Sequence, residues 1–203
     1  MRRNIVAIPI QLANVGPLIA YGVAIMSVVL TSIAAQAAPA ITKLSVTSGP
    51  VTTPVTITGT AFGATQGTSK VTFNGTTATV TSWSATSIAV TVPAAATTGN
   101  VVVTVSSTAS NGVAFTVTPH VTTLSFPAGP AQMGVIITGT TFGAAQGTST
   151  ITLNGTAMTV ITWTSTSITA QVPTGGTTGN IVVKVAGNSS NTTAFTVTAY
   201  GCT

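Results

Sequence analysis

The sequence predicts an all-β protein: two tandem β-sandwiches of about seven strands each, behind an N-terminal export segment. Three observations carry this prediction. Residues 56–75, TITGTAFGATQGTSKVTFNG, return at 136–155 as IITGTTFGAAQGTSTITLNG. Short runs in which Val or Ile alternates with Thr recur through both copies, the pattern of half-buried strands. Thr and Val abound while Glu is absent and Lys is rare, so strand formers outnumber helix formers. Charged residues are only 2% of the chain, but 44% hydrophobic content is enough for a buried core and argues against disorder.

The leader comes first. Residues 1–37 read as a signal peptide: Arg2 and Arg3 form a positive start, Leu18 to Ile33 is almost unbroken apolar sequence, and Ala35-Gln36-Ala37 is a small-x-small cleavage site. Uncleaved, residues 18–38 are long enough to serve as an N-terminal anchor. Membrane contact is expected only through this segment. Either outcome makes the remainder secreted or cell-surface.

The first repeat, residues 39–118, offers seven strand signals in order: ITKLSV, PVTITG, KVTFNG, ATVTSW, SIAVTVP, NVVVTVS and VAFTVT. Alternation places Val55 and Ile57 inward with Thr56 and Thr58 outward, then Val71 and Phe73, then Ile88, Val90 and Val92, then Phe115 and Val117 inward. Breaks fall at Gly49-Pro50, Gly59, Gly63, Gly67, Asn74-Gly75, Pro93, Gly99 and Asn111-Gly112. Asn74-Gly75 and its counterpart Asn154-Gly155 are tight-turn signals, because both residues tolerate positive φ. Gly59 is expected to end its strand where a side chain would obstruct the turn. Phe62 then folds back as a plug under the sandwich and Gly63 releases the chain.

The second repeat, residues 119–198, follows at an offset of 80 without a gap and is identical at more than half of its positions. Repeats of this size are whole domains. The boundary at Thr118-Pro119 leaves almost no linker, and Pro119 stiffens it. Residues 199–203 form a tail. Its one cysteine, Cys202, has no partner within the chain for a disulfide.

Several chemistries are excluded. The chain has no Asp or Glu and one His, His120 at the interdomain joint. Paired-carboxylate hydrolysis and an acid-backed Ser-His triad are therefore ruled out. No Cys/His cluster suits zinc and no carboxylate cage suits calcium. No catalytic residue, metal ligand or cofactor is expected, and the protein is read as not an enzyme. The net charge of +5 reflects missing acids: Arg2 and Arg3 lie in the leader, and Lys43, Lys70 and Lys184 do not cluster. Nucleic acid, which needs several cations on one face, is not expected as a partner.

The ordered marks of the repeat resemble a known family. They run Leu44-Ser45, Gly49-Pro50, Val55 to Gly59, Phe62-Gly63, Val71 to Gly75, Trp83-Ser84, Thr86-Ser87-Ile88, Val92-Pro93, Thr98-Gly99, Val101 to Val103 and Phe115-Thr116-Val117. The second copy repeats them at Gly139, Phe142-Gly143, Asn154-Gly155, Trp163, Pro173, Gly179 and Phe195. This pattern resembles the IPT/TIG domain, an immunoglobulin-like fold shared by plexins, Rel-type transcription factors and many bacterial surface proteins. The resemblance spans residues 39–198. It implies two immunoglobulin-like sandwiches and contact with protein or carbohydrate outside the cell. The Rel-type DNA-binding role does not carry over, because its basic loop has no counterpart here.

Trp83 and Trp163, at equivalent positions, are the candidate ligand contacts. An aromatic face can stack on a sugar ring, with Asn, Thr and Ser completing a site. The bland alternative is a strand-edge Trp packed on the core. The sequence thus predicts a non-catalytic exported spacer, adhesion or binding unit. Two alternatives stay open: a carbohydrate-binding accessory module using the two Trp residues, and a self-associating matrix protein whose edges lack guarding charges.

Overall fold

Strict alternation is what separates inside from outside. In the computed structural model, which describes residues 37–199, strand Pro54–Thr60 exposes Pro54, Thr56, Thr58 and Thr60 and buries Val55, Ile57 and Gly59. Each such apolar side chain removed from water contributes about 1.5–3 kcal/mol. The leader and its cleavage site, and Tyr200 and Cys202 in the tail, lie outside the described residues.

The first domain has ten strands: β1 Ala40–Leu44, β2 Ser48–Gly49, β3 Pro54–Thr60, β4 Lys70–Phe73, β5 Thr76–Thr77, β6 Thr79–Trp83, β7 Ser87–Thr91, β8 Gly99–Val105, β9 Thr108–Ala109 and β10 Val113–Val117. Seven match the runs of alternating sequence. The other three, β2, β5 and β9, are two or three residues at most, too short to show a period. β1, β3, β7 and β6 make one sheet in that order; β2, β10, β8, β4 and β5 make the other, with β9 on β8.

The second domain repeats the plan. Its strands are β11 His120–Leu124, β12 Ala128–Pro130, β13 Gly134–Thr140, β14 Thr150–Leu153, β15 Thr156–Ala157, β16 Thr159–Trp163, β17 Ser167–Gln171, β18 Gly179–Val185, β19 Asn188–Ser189 and β20 Thr193–Thr198. No helix occurs among the described residues. The two sheets of each domain enclose that domain's own core. In the first, Phe73 and Phe115 meet edge to face at 5.2 Å and 87°, the arrangement their ring quadrupoles favour.

Each domain's opening segment switches sheets. β1 pairs antiparallel with β3, and β2 then pairs parallel with β10 in the facing sheet. An asparagine clamps this crossing. Asn111 accepts from the Ile41 N–H at 2.8 Å and donates to the Ile41 carbonyl at 3.0 Å. Asn191 does the same for Val121 at 2.8 and 3.0 Å. β1 and β11 are edge strands, and one side chain thereby satisfies a donor and an acceptor on the open side of each.

The Asn-Gly turns form as the sequence predicts, with φ of 43° and 86° at Asn74-Gly75 and 46° and 83° at Asn154-Gly155. Gly59 departs from expectation. It does not end its strand but lies inside β3, and its φ is not in the left-handed region. A Cβ there would strike the Ala40 carbonyl and the Phe62 ring; at Gly139 it would strike the His120 carbonyl and the Phe142 ring. A side chain would thus obstruct the fold-back of Phe62, as expected, and would also press on the neighbouring strand. Gly63 and Gly143, both at φ 82°, do release the chain as expected.

Gly59→Ala is expected to destabilise the first domain by about 1–3 kcal/mol, read as a lowered urea midpoint; an unchanged midpoint would mean that the strand and ring move apart freely. Acid denaturation mostly reflects protonation of native carboxylates, and this chain has no side-chain carboxylate. Its β circular-dichroism spectrum should therefore persist to about pH 3.

Candidate functional site

Four of the residues singled out from sequence in each domain gather around a buried phenylalanine. After β3 the backbone turns through positive φ at Ala61 (58°), buries Phe62 completely, and turns again at Gly63. The Gly59 N–H bonds the Thr86 carbonyl at 2.9 Å and the Phe62 N–H bonds the Ala85 carbonyl at 3.2 Å. The plug is thus tied to the segment between β6 and β7.

Trp83 closes this cap. Its indole Nε1–H is shared between the Phe62 and Gly63 carbonyls, each at 3.2 Å, and its ring lies 6.3 Å from that of Phe62. Trp163 repeats the arrangement, with Nε1 at 3.1 Å from the Phe142 carbonyl and 3.2 Å from that of Gly143, and ring centroids 6.3 Å apart. Both indoles are half-buried and pack against their domain's core. The structure brings Gly59, Phe62, Gly63 and Trp83 together, and likewise Gly139, Phe142, Gly143 and Trp163. Each indole therefore braces a turn held in left-handed backbone, and presents only part of its ring to solvent.

Asn74 and Asn154 serve a different place. Beyond making their turns, they donate from Nδ2 to the Thr97 and Thr177 hydroxyls at 2.8 Å. Their side chains lie over Gly99 and Gly179, where a Cβ would collide with them. His120, expected at the joint, opens β11 and lines a groove with Pro50, Val51 and Thr52 of the first domain and Thr122 and Thr140 of its own.

The outward faces of the four-stranded sheets carry exposed hydroxyls. In the first domain Thr56 and Thr58 on β3, and Thr81 and Ser82 on β6, point outward. The Thr81 hydroxyl bonds the Ala89 carbonyl at 3.1 Å across the bulge in β6. In the second domain the equivalent positions of Thr56 and Thr81 hold Ile136 and Ile161, both exposed. Sequence reading passed over these two residues. The available signal was the difference between copies: at an offset of 80, Thr gives way to Ile at positions that alternation assigns to solvent.

The IPT/TIG domain model matches the chain twice, over residues 39–117 and 119–198. No curated protein matches it in sequence. Among solved structures, a surface glycan-binding protein from Prevotella bryantii is similar at 18% identity and a TM-score of 0.39, covering 76% of this chain and 40% of that one. An auxiliary nutrient binding protein from Bacteroides thetaiotaomicron is similar at 14% identity and a TM-score of 0.40, covering 73% and 43%. The plexin A4 extracellular region is similar at 18% identity and a TM-score of 0.38, covering 84% of this chain and 16% of that one. This chain spans less than half the length of each.

Trp83→Phe keeps a ring over Phe62 but removes the indole N–H. It should lower stability by about 0.5–1.5 kcal/mol, seen as a reduced urea midpoint; a midpoint equal to the parent's would show that the shared hydrogen bond does not hold the cap.

Proposed function

The chain belongs to the IPT/TIG domain family, and from that premise we propose that it is an exported, non-catalytic surface module that binds a neutral polysaccharide. The observation that carries this reading is chemical. The chain has no carboxylate side chain and its three lysines are scattered over both domains, while the outward strand positions present hydroxyls of Thr and Ser. Such a surface offers no steering to a charged partner. It offers hydrogen-bond donors and acceptors in rows to a ligand that is itself an array of hydroxyls.

The two domains also act as a spacer that carries those faces away from the cell. Thr118-Pro119 alone joins β10 to β11, and the Thr118 N–H bonds the Gly49 carbonyl at 3.0 Å, so the joint has little slack. Trp83 and Trp163 contribute contact through the part of each ring that stays exposed. No catalysis is part of this reading, since the sequence has no Asp or Glu and a single His to set beside a nucleophile.

The test is retention of the protein, produced from the full chain, on insoluble cellulose, starch and chitin. Binding to at least one is expected, with weaker retention of Trp83→Ala/Trp163→Ala at an intact circular-dichroism spectrum. Passage through all three would overturn the polysaccharide reading.

A further inference from the structure

The two domains differ where their shared fold does not require it. Phe126, Ile136 and Ile161 of the second domain are 52%, 45% and 55% exposed. The same positions in the first domain hold Val46, Thr56 and Thr81. Two of the three changes put a branched aliphatic side chain into water where the sister domain has a hydroxyl. At position 161 the change also gives up the bond that Thr81 makes to the Ala89 carbonyl. Neither packing nor turn geometry accounts for them.

Strand register places the three near one line across the sheet. Ile136 on β13 lies opposite Thr169 on β17, which lies opposite Thr162 on β16. The bulge between Val160 and Thr162 leaves Ile161 and Thr162 both outward, since Val160 and Trp163 on either side pack on the core. On the other flank Ser125 holds Ile136, its N–H on the Ile136 carbonyl at 2.9 Å and its Oγ accepting the Ile136 N–H at 3.0 Å. Phe126 is the next residue. The row Ser125–Ile136–Thr169–Thr162 thus crosses the whole sheet, with strands about 4.8 Å apart, and the exposed Phe126 and Ile161 adjoin its two ends along the chain.

Polar rows flank it. On one side Thr123, Thr138 and Ser167 lie opposite one another in register; on the other stand Gln171 and Thr159. No lysine lies on these four strands. The apolar strip exposes on the order of 300 Å², within the range of functional patches on single-chain proteins. A stable protein pair needs about 800 Å² from each partner. A sugar chain needs less and has the matching cross-section, a band of C–H groups edged by hydroxyls.

We infer that the outer face of the β11-β13-β17-β16 sheet is the polysaccharide-binding platform of this chain, with Phe126, Ile136 and Ile161 as the stacking strip and Thr138, Ser167 and Gln171 among its hydrogen-bonding edges. This deepens the polysaccharide reading above and rests on it. The first domain, with Val46, Thr56 and Thr81 in the same places, lacks the stacking strip.

The sister domain supplies the test. Phe126→Val/Ile136→Thr/Ile161→Thr installs residues that the same fold already accepts at these positions, so an unchanged urea midpoint is the control. Retention on cellulose, starch and chitin is measured for the parent, this triple variant and Trp83→Ala/Trp163→Ala, with light scattering over a range of concentrations. At least a tenfold loss of affinity in the triple variant supports the platform. Parent-like binding by the triple variant overturns it and leaves the polysaccharide reading standing. Failure of the parent to bind any of the three overturns both. A concentration-dependent mass that the triple variant abolishes overturns the platform in favour of a second copy on this face.

Discussion

The fully buried phenylalanine at the end of each sandwich is the contact on which the rest of the domain depends. Phe62 and Phe142 lie so close beneath β3 and β13 that the strand above must be glycine. The backbone on both sides must take positive φ, at Ala61 and Gly63 or Thr141 and Gly143. That conformation costs about 1–2 kcal/mol at a residue with a side chain, and burial of the ring together with the indole bond offsets it. The loop between β6 and β7 is hydrogen-bonded to the same segment. Remove the plug and the cap, the strand end and the Trp brace lose their common support.

With the ends closed this way, little else is demanded of the surface. The asparagine clamps hold the sheet-switching first strand from 70 residues away. No buried side-chain polar atom among the described residues lacks a partner. Stability therefore does not lean on ion pairs, and outward positions are free to vary. The first domain fills them with hydroxyls. The second converts part of one face to apolar surface while its core, turns and cap stay the same. A duplicated scaffold thus holds one core and cap twice while one outer face differs between the copies.

Much of this was legible in the sequence. The inward set Val55, Ile57, Val71, Phe73, Ile88, Val90, Val92, Phe115 and Val117 follows from period-two alternation, and all nine are buried. The Asn-Gly turns follow from residue type. The plug was also readable, from Phe between glycines after a strand. That a side chain at Gly59 would obstruct the chain's fold-back onto Phe62 was legible too, although the strand runs one residue further, to Thr60, and the Ala40 carbonyl it also meets is remote in sequence. The role of the indoles was readable only as a choice between platform and packing. The Asn111 clamp looked like an ordinary loop residue, since its partner Ile41 is remote in sequence.

By itself, the sequence determined the all-β class, the duplication, the inward and outward faces of the strands, and a surface without carboxylate side chains. These are properties of local pattern and composition, which no later packing can alter. Tertiary structure alone decided which carbonyls receive the Trp83 and Trp163 N–H groups, why Gly59 and Gly139 admit no side chain, and that Phe126 and Ile161 adjoin the two ends of the row that holds Ile136. Each of these turns on cross-strand register and on atoms far apart in the chain, and a one-residue slip would reverse every assignment.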